Sequence, residues 1–317
     1  MSIDSIYEPI QAEMVLVEEK LNGVAMTAPA DIVGQLSYVL RGAGKRLRPA
    51  LTLLASKFYN YNVELLLPTA AAIELLHTAT LVHDDTVDDS DLRRGKASIN
   101  HLWGNSNAVL LGDYLFAASA RMTAETGNVR VIKLFSETLM YICSGEIQES
   151  LNLFNSSREQ YYTAIGNKTA SLLSAATESG AILSDAPEEV VQALRGYGHN
   201  LGMAFQIVDD ILDFTGHKEA LGKPVASDLY RGVFTLPVIL LLERPESDSV
   251  KRLLEEDKEK AAERLTEMVQ SSSVIEECYA VVQDFCSEAC SAIEGLPRNF
   301  IHGCLTHLAE YVTERKS

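Results

Sequence analysis

Four carboxylates fall within six positions of the stretch Leu81-Val82-His83-Asp84-Asp85-Thr86-Val87-Asp88-Asp89, at the end of a strongly apolar run. Helical residues turn by about 100° each, so Asp84 and Asp88 share a face with Asp85 beside them. Three carboxylates then project into one region, where like charges cost an isolated helix about 0.2–0.5 kcal/mol per pair, and more once desolvated. The stretch Phe205-Gln206-Ile207-Val208-Asp209-Asp210-Ile211-Leu212-Asp213 repeats the spacing. There Gln206, Asp209 and Asp213 follow an i, i+3, i+7 stripe, flanked by Ile207, Val208, Ile211 and Leu212. One acidic run by itself is commonly a solvated helix end. Two, each embedded in apolar helix, call for a bound cation. Carboxylate oxygens suit Mg²⁺, which takes a few carboxylates, several waters and the oxygens of a phosphorylated substrate. His and Cys ligands at zinc spacing are absent, so zinc is not expected.

The few bases gather next to the acids. Gly42-Ala43-Gly44-Lys45-Arg46-Leu47-Arg48-Pro49 puts three cations into four residues at an expected helix start, where free backbone N–H groups also favour anions. Arg93-Arg94-Gly95-Lys96 follows the first acidic cluster, Lys168-Thr169 opens a further helix, and Gly222-Lys223-Pro224 follows the second cluster. His77 lies two turns before Asp84 on the same face, about 10 Å along the axis. That offset suits a second anion beside the cation site, with Lys45 and Arg48 as companions. Each basic patch alone reads as surface charge; their pairing with both acidic clusters points to a diphosphate.

The elements that must position these groups are helical. Apolar residues recur at three- and four-residue spacing, as in Leu65, Ala72, Leu75, Leu76 and Ala79, and no sustained run alternates as a strand does. An all-α fold of roughly ten to twelve helices is expected, with helix ends at glycines and prolines such as Pro68, Gly104, Gly127, Gly166 and Pro187. No Pro/Gly/Ser-rich linker divides the 317 residues, so one domain spanning 1–317 is expected. A net charge of −17 opposes nucleic acid and anionic membrane surfaces alike. The apolar run Leu65 to Val82 contains Pro68, Glu74 and His77, which suits a buried helix and not a transmembrane segment. Early acids and no apolar signal core lead us to expect a cytoplasmic location. The five cysteines form no CxxC pair and read as reduced core thiols. The charge-rich, amphipathic tail from about Glu243 reads as outer helix.

Taken as a set, the two DDxxD clusters, Gly44-Lys45-Arg46-Leu47-Arg48-Pro49, Asp91-Leu92-Arg93-Arg94-Gly95-Lys96, Lys168-Thr169-Ala170 and Gly222-Lys223-Pro224 resemble the trans-prenyl diphosphate synthases, over about Gly44 to Pro237. The resemblance implies an isoprenoid-synthase helical bundle around a deep central cavity, acting as a homodimer. It implies that Asp84, Asp85, Asp88, Asp209, Asp210 and Asp213 hold Mg²⁺, three ions with substrate bound, bridged to an allylic diphosphate. Arg93, Lys168, Thr169, Gln206 and Lys223 would bind that diphosphate, while Lys45, Arg48, His77 and Arg94 would bind isopentenyl diphosphate. The implied reaction is electrophilic: the allylic C–O bond ionises in a site that excludes water, the isopentenyl double bond attacks the cation, and a proton is lost to the released diphosphate. No protein nucleophile is required, and no Ser/His/Asp or Cys/His motif is recognisable.

The chain departs from the family at Asp228-Leu229-Tyr230-Arg231-Gly232-Val233-Phe234-Thr235, where many relatives carry lysine in place of Val233. Ala79 and Thr80, one turn before Asp84, are small where short-chain relatives carry aromatic rings, so a long product is expected, about C30 to C50 by family analogy. Leu111, Leu115, Ala118 and Met122 share a helix face that would form the far wall of the chain-length pocket, with Met122 as its floor. Alternatives are a shorter-chain synthase, a terpene cyclase, which would normally replace the second acidic motif, and a non-catalytic subunit, which would tend to lose acids that are intact here.

Overall fold

A computed structural model describes residues 3–41, 44–93, 95–215, 225–248, 250, 252, 254 and 257–314. In chain order the α-helices are α1 (Ile3–Tyr7), α2 (Gln11–Met26), α3 (Val33–Leu40), α4 (Leu47–Ser56), α5 (Val63–Val87), α6 (Ile99–Trp103), α7 (Asn105–Ala124), α8 (Val129–Leu151) and α9 (Arg158–Ile165). They continue with α10 (Ser171–Leu183), α11 (Glu188–Thr215), α12 (Ser227–Tyr230), α13 (Leu236–Leu242), α14 (Lys258–Ser271), α15 (Val274–Ala292) and α16 (Phe300–Thr313). The all-α expectation holds apart from a two-residue antiparallel hairpin, β1 (Leu92–Arg93) with β2 (Lys96–Ala97).

Helix α5 is central. The Asn62 side chain caps it by accepting from the Glu64 N–H at 3.1 Å. Ala70, Ala71, Ala72, Ile73, Leu75, Leu76 and Ala79 are all buried, so apolar surface runs around the whole barrel of the helix and α2, α4, α7 and α10 pack on it. Its length and composition alone would let it cross a membrane, but it is mostly buried within the protein. Pro68, expected to mark a helix end, lies inside α5. It sits near the N-terminus, where few carbonyls precede it, and the packing of four neighbours outweighs the lost backbone hydrogen bond.

Helix α11 is the second axis, covered by α10, α15 and α16. The amphipathic tail therefore closes the core as well as facing solvent: Val274, Cys278, Val282, Cys286 and Ala289 of α15 are buried. All five cysteines are free, with Cys278, Cys286 and Cys304 buried and Cys143 exposed. Gly166, another expected helix end, instead opens a π-turn, Gly166–Ala170, that joins α9 to α10 without a break. Against this turn α11 presents Gly202, where an added Cβ would stand 2.5 Å from the Ala170 Cα. The close approach holds the two backbones in register.

Gly202→Ala should therefore push α11 off the π-turn and destabilise the protein by about 1–3 kcal/mol, as overpacking of a tight core does. A thermal melt unchanged from wild type would refute this packing account.

Candidate active site

Both acidic clusters end their helices, α5 closing at Val87 and α11 at Thr215. A helix C-terminus already carries the negative end of the backbone dipole, so each cluster adds charge where charge is least welcome. The two ends open onto one cavity of about 810 Å³, whose wall includes Asp84 and Asp88 from α5, Gln206 and Asp210 from α11, Arg93 from the hairpin and Lys168 from the π-turn. The rotational phase of α5 is set on its opposite side. His83 occupies the space left by Gly112 of α7, where a Cβ would lie 2.1 Å from its Nε2, and that nitrogen is 3.0 Å from the Val109 carbonyl.

Hydrogen bonds and ion pairs hold the wall. Buried Asp85 accepts from Arg93 Nε at 2.8 Å, which folds the hairpin back onto α5. The π-turn widens the helix at Lys168, whose Nζ meets Glu146 at 2.8 Å and Glu149 at 2.9 Å. Thr169 Oγ1 donates to Gln206 Oε1 at 2.6 Å, and Gln206 Nε2 donates to Asp210 Oδ1 at 2.9 Å. The Tyr161 hydroxyl donates to the other oxygen of Asp210 at 2.6 Å. Asp213 accepts from Ser227 Oγ at 3.1 Å and from the Asp228 N–H at 3.4 Å, and so anchors the segment that follows α11. Arg231 on that segment crosses to both oxygens of Asp88, with Nη1 at 2.8 Å from one of them.

The titration behaviour follows from this enclosure. Burial, reinforced by Glu146, lifts the Asp84 carboxyl to about 7 against the pull of Lys168 and Arg93. Asp88 is raised by burial despite Arg231, and Asp210 is raised well above the usual carboxylate range by burial despite its two hydrogen bonds. Burial alone would lower Lys168, but Glu149, Glu146 and Asp84 hold its ammonium charged.

These donors fit a hard divalent cation that takes part of its shell from elsewhere. Asp84 and Asp88 offer carboxylate oxygens to the cavity, and among the described residues no three acidic, His or Cys side chains converge to cage an ion by themselves. That incompleteness matches Mg²⁺, which keeps waters and substrate oxygens in its shell. The whole arrangement offers carboxylates for metal and an ammonium and guanidinium for an anion within one hollow.

The structure sorts the other sequence-derived residues. Asp209 is half-buried and Asp213 buried, and neither lies on the wall. Lys45, Arg48 and His77 are off this wall too. Lys45 Nζ stands 5.3 Å from the centre of the Tyr311 ring. Arg46, the third cation of that stretch, turns inward: it pairs with buried Glu74 at 2.8 Å and with Glu18 at 2.5 Å, and donates to the Leu40 carbonyl at 3.0 Å. Glu74 is one turn before His77, so this pair pins the start of α4 against the part of α5 that carries His77. Arg94 and Lys223 lie outside the described residues. Ala79 and Met122 are buried in the α5 and α7 core, and Thr80 is half-buried with its hydroxyl donating to the His77 carbonyl at 2.8 Å. Leu111, Leu115, Ala118 and Met122 are all buried, as a shared face requires. Sequence reasoning missed Tyr161, Glu146 and Glu149. Tyr161 precedes Lys168 by two turns, and Glu146 and Glu149 share a face of α8, signals that were present but carried no motif.

Asp84 yields a prediction with a definite sign. Its carboxyl titrates near 7 in the folded protein and near 3.8 as an unperturbed group, so the metal-free fold binds the extra proton between those values and loses stability as pH rises through that window. Asp84→Asn should melt higher than wild type at pH 8 without metal, and this advantage should shrink toward pH 4. A difference independent of pH in thermal melts would contradict the assignment.

Residues 30–271 match the family model described as polyprenyl synthetase. The heptaprenyl diphosphate synthase component 2 of Geobacillus stearothermophilus is 38% identical over 99% of this chain and 99% of that protein. The crystal structure of a polyprenyl synthase from Caulobacter crescentus CB15, complexed with calcium and isoprenyl diphosphate, superposes with a TM-score of 0.92 at 32% identity, covering 100% of this chain and 98% of that one. A decaprenyl diphosphate synthase from Rhodobacter capsulatus gives 0.91 at 34% identity, with both chains fully covered. With both acidic clusters set on one cavity and these likenesses running the length of the chain, the protein belongs to the polyprenyl synthetase family.

Proposed function

We propose that this chain is a long-chain trans-polyprenyl diphosphate synthase, extending an allylic diphosphate with isopentenyl diphosphate to a product of about C35 to C50. The observation that carries the reading is the single cavity into which Asp84, Asp88 and Asp210 project beside Arg93 and Lys168. Heptaprenyl and decaprenyl synthases among its relatives support the long product. Mg²⁺, when bound, would supply positive charge to the departing diphosphate. Asp84 and Asp88 would hold it, with Asp210 positioned by Tyr161 and Gln206 on the facing helix. Lys168 and Arg93 would stabilise the developing negative charge, and the helices packed around the cavity would limit the access of water to the allylic cation. Lys45, Arg48 and His77 would take isopentenyl diphosphate where the Arg46–Glu74 pair fixes the start of α4 against the middle of α5. A second copy of the chain would cover the exposed apolar side chains of α7 and α8, among them Leu110, Met140, Tyr141, Ile147 and Leu151.

The test is incubation of the purified chain with isopentenyl diphosphate, allylic primers of increasing length and Mg²⁺, followed by sizing of the lipid products. Diphosphate release with a long product is expected. The Geobacillus relative is named as one component of its synthase, which favours a second reading, in which release appears only when a further chain is added. No release in either arm would sink the enzymatic reading.

Asp84→Ala should lower turnover by about a hundredfold or more with the fold retained, the loss typical of removing a charge-stabilising group. A near-normal rate would mean that the acid is surface decoration. Ala79→Phe should shorten the product by at least one five-carbon step, because the new ring would fill space one turn from Asp84; an unchanged product profile by mass spectrometry would remove Ala79 from the pocket.

A further inference from the structure

Arg231 stands two residues before Val233, the position at which many relatives carry lysine. Its backbone is fixed. The Ala226 N–H donates to the Asp213 carbonyl at 2.8 Å, the Val233 N–H to the Asp228 carbonyl at 2.9 Å, and the Phe154 N–H to the Gly232 carbonyl at 2.6 Å. Phe234 packs edge-on against Phe154 at 5.7 Å. From this anchored strap the Arg231 side chain reaches Asp88, and Asp228 lies 3.7 Å from it as well. The pair is open to water, with Arg231 40% and Asp88 19% exposed. The other two cations on the wall have different partners: Arg93 is held by buried Asp85, and Lys168 by Glu146 and Glu149 of α8. Of the three, Arg231 is the one whose ion-pair partner is an acidic-cluster aspartate on the cavity wall.

We propose that Arg231 keeps the place of the metal at Asp88 while the site is empty and turns to the diphosphate of the substrate once a divalent cation takes that carboxylate. This rests on the proposed function for the identity of the anion. The physical basis is competition. A guanidinium bound to both oxygens of Asp88 and a divalent cation cannot share the same lone pairs, so Arg231 opposes metal binding on its own. The same planar fork matches the oxygens of a phosphate group and favours diphosphate once released. Metal and diphosphate are thereby coupled: each binds better when the other is present, because one side chain is exchanged between them. Val233, in the position where many relatives carry lysine, lines the same wall and brings no charge, so within Asp228–Thr235 the cation is supplied by Arg231.

The experiment uses the full chain and two calorimetric titrations, with Mg²⁺ alone and with inorganic diphosphate at saturating Mg²⁺. Arg231→Gln should bind Mg²⁺ alone about two- to fivefold more tightly, the range of a half-exposed ion pair. The same variant should bind diphosphate about tenfold more weakly, having lost a charge-assisted fork. Arg231→Lys keeps the charge without the fork and should restore the weak Mg²⁺ affinity while recovering only part of the diphosphate affinity. Opposite signs in the two titrations support the exchange, since a merely structural role would weaken both. An Mg²⁺ isotherm that is unchanged or weaker in Arg231→Gln overturns it even where diphosphate binding persists. Failure of the wild-type chain to bind diphosphate with Mg²⁺ would overturn the proposed function and the exchange together.

Discussion

Negative charge at the ends of two helices is the constraint around which this protein is arranged. Helices α5 and α11 each carry aspartates around their C-terminal turns, where the backbone dipole is already negative, and both open onto one hollow. Such a site is tolerable only with positive charge inside it. The protein meets part of that need with Arg93, Lys168 and Arg231, and leaves a remainder of carboxylate oxygens facing the cavity. Burial raises the carboxyls of Asp84, Asp88 and Asp210, which is the cost of enclosing these acids at one hollow.

Keeping those charges in place takes support from groups that do no chemistry. Gly112 makes room for His83, which sets the face of α5 that meets the cavity, and Gly202 lets α11 approach the π-turn that displays Lys168 and Thr169. Behind them, the buried Arg46–Glu74 pair ties the start of α4 to α5. A buried ion pair of this kind adds little net stability over an apolar pair, while loss of one partner strands a charge. Its value lies in fixing where the Lys45 to Arg48 segment stands relative to His77.

Several features were legible in the residues alone. The three-and-four spacing made the fold helical, the repeated acids pointed to a metal-dependent anion site, and the set of short motifs carried the family. Each of these depends on local periodicity or on residue type, which a linear chain displays without folding. The errors were also local in origin. Pro68 and Gly166 looked like helix ends because intrinsic preference says so, yet tertiary packing carried α5 through the proline and joined α9 to α10 through a π-turn.

Tertiary structure alone decided how the cations were shared out. In the chain, Arg46 sits between Lys45 and Arg48 and looks equivalent to them, but folding buries it against Glu74 and Glu18. Tyr161, Glu146 and Glu149 belong to no motif, yet they orient Asp210 and hold Lys168. Arg231 lies 143 residues from Asp88 and spans the cavity to reach it. The sequence determined which charges the protein owns and the periodicity that collects them on helix faces. Which charge meets which was settled by three-dimensional proximity, because Coulombic attraction and hydrogen bonding act over a few ångströms of space and take no account of distance along the chain.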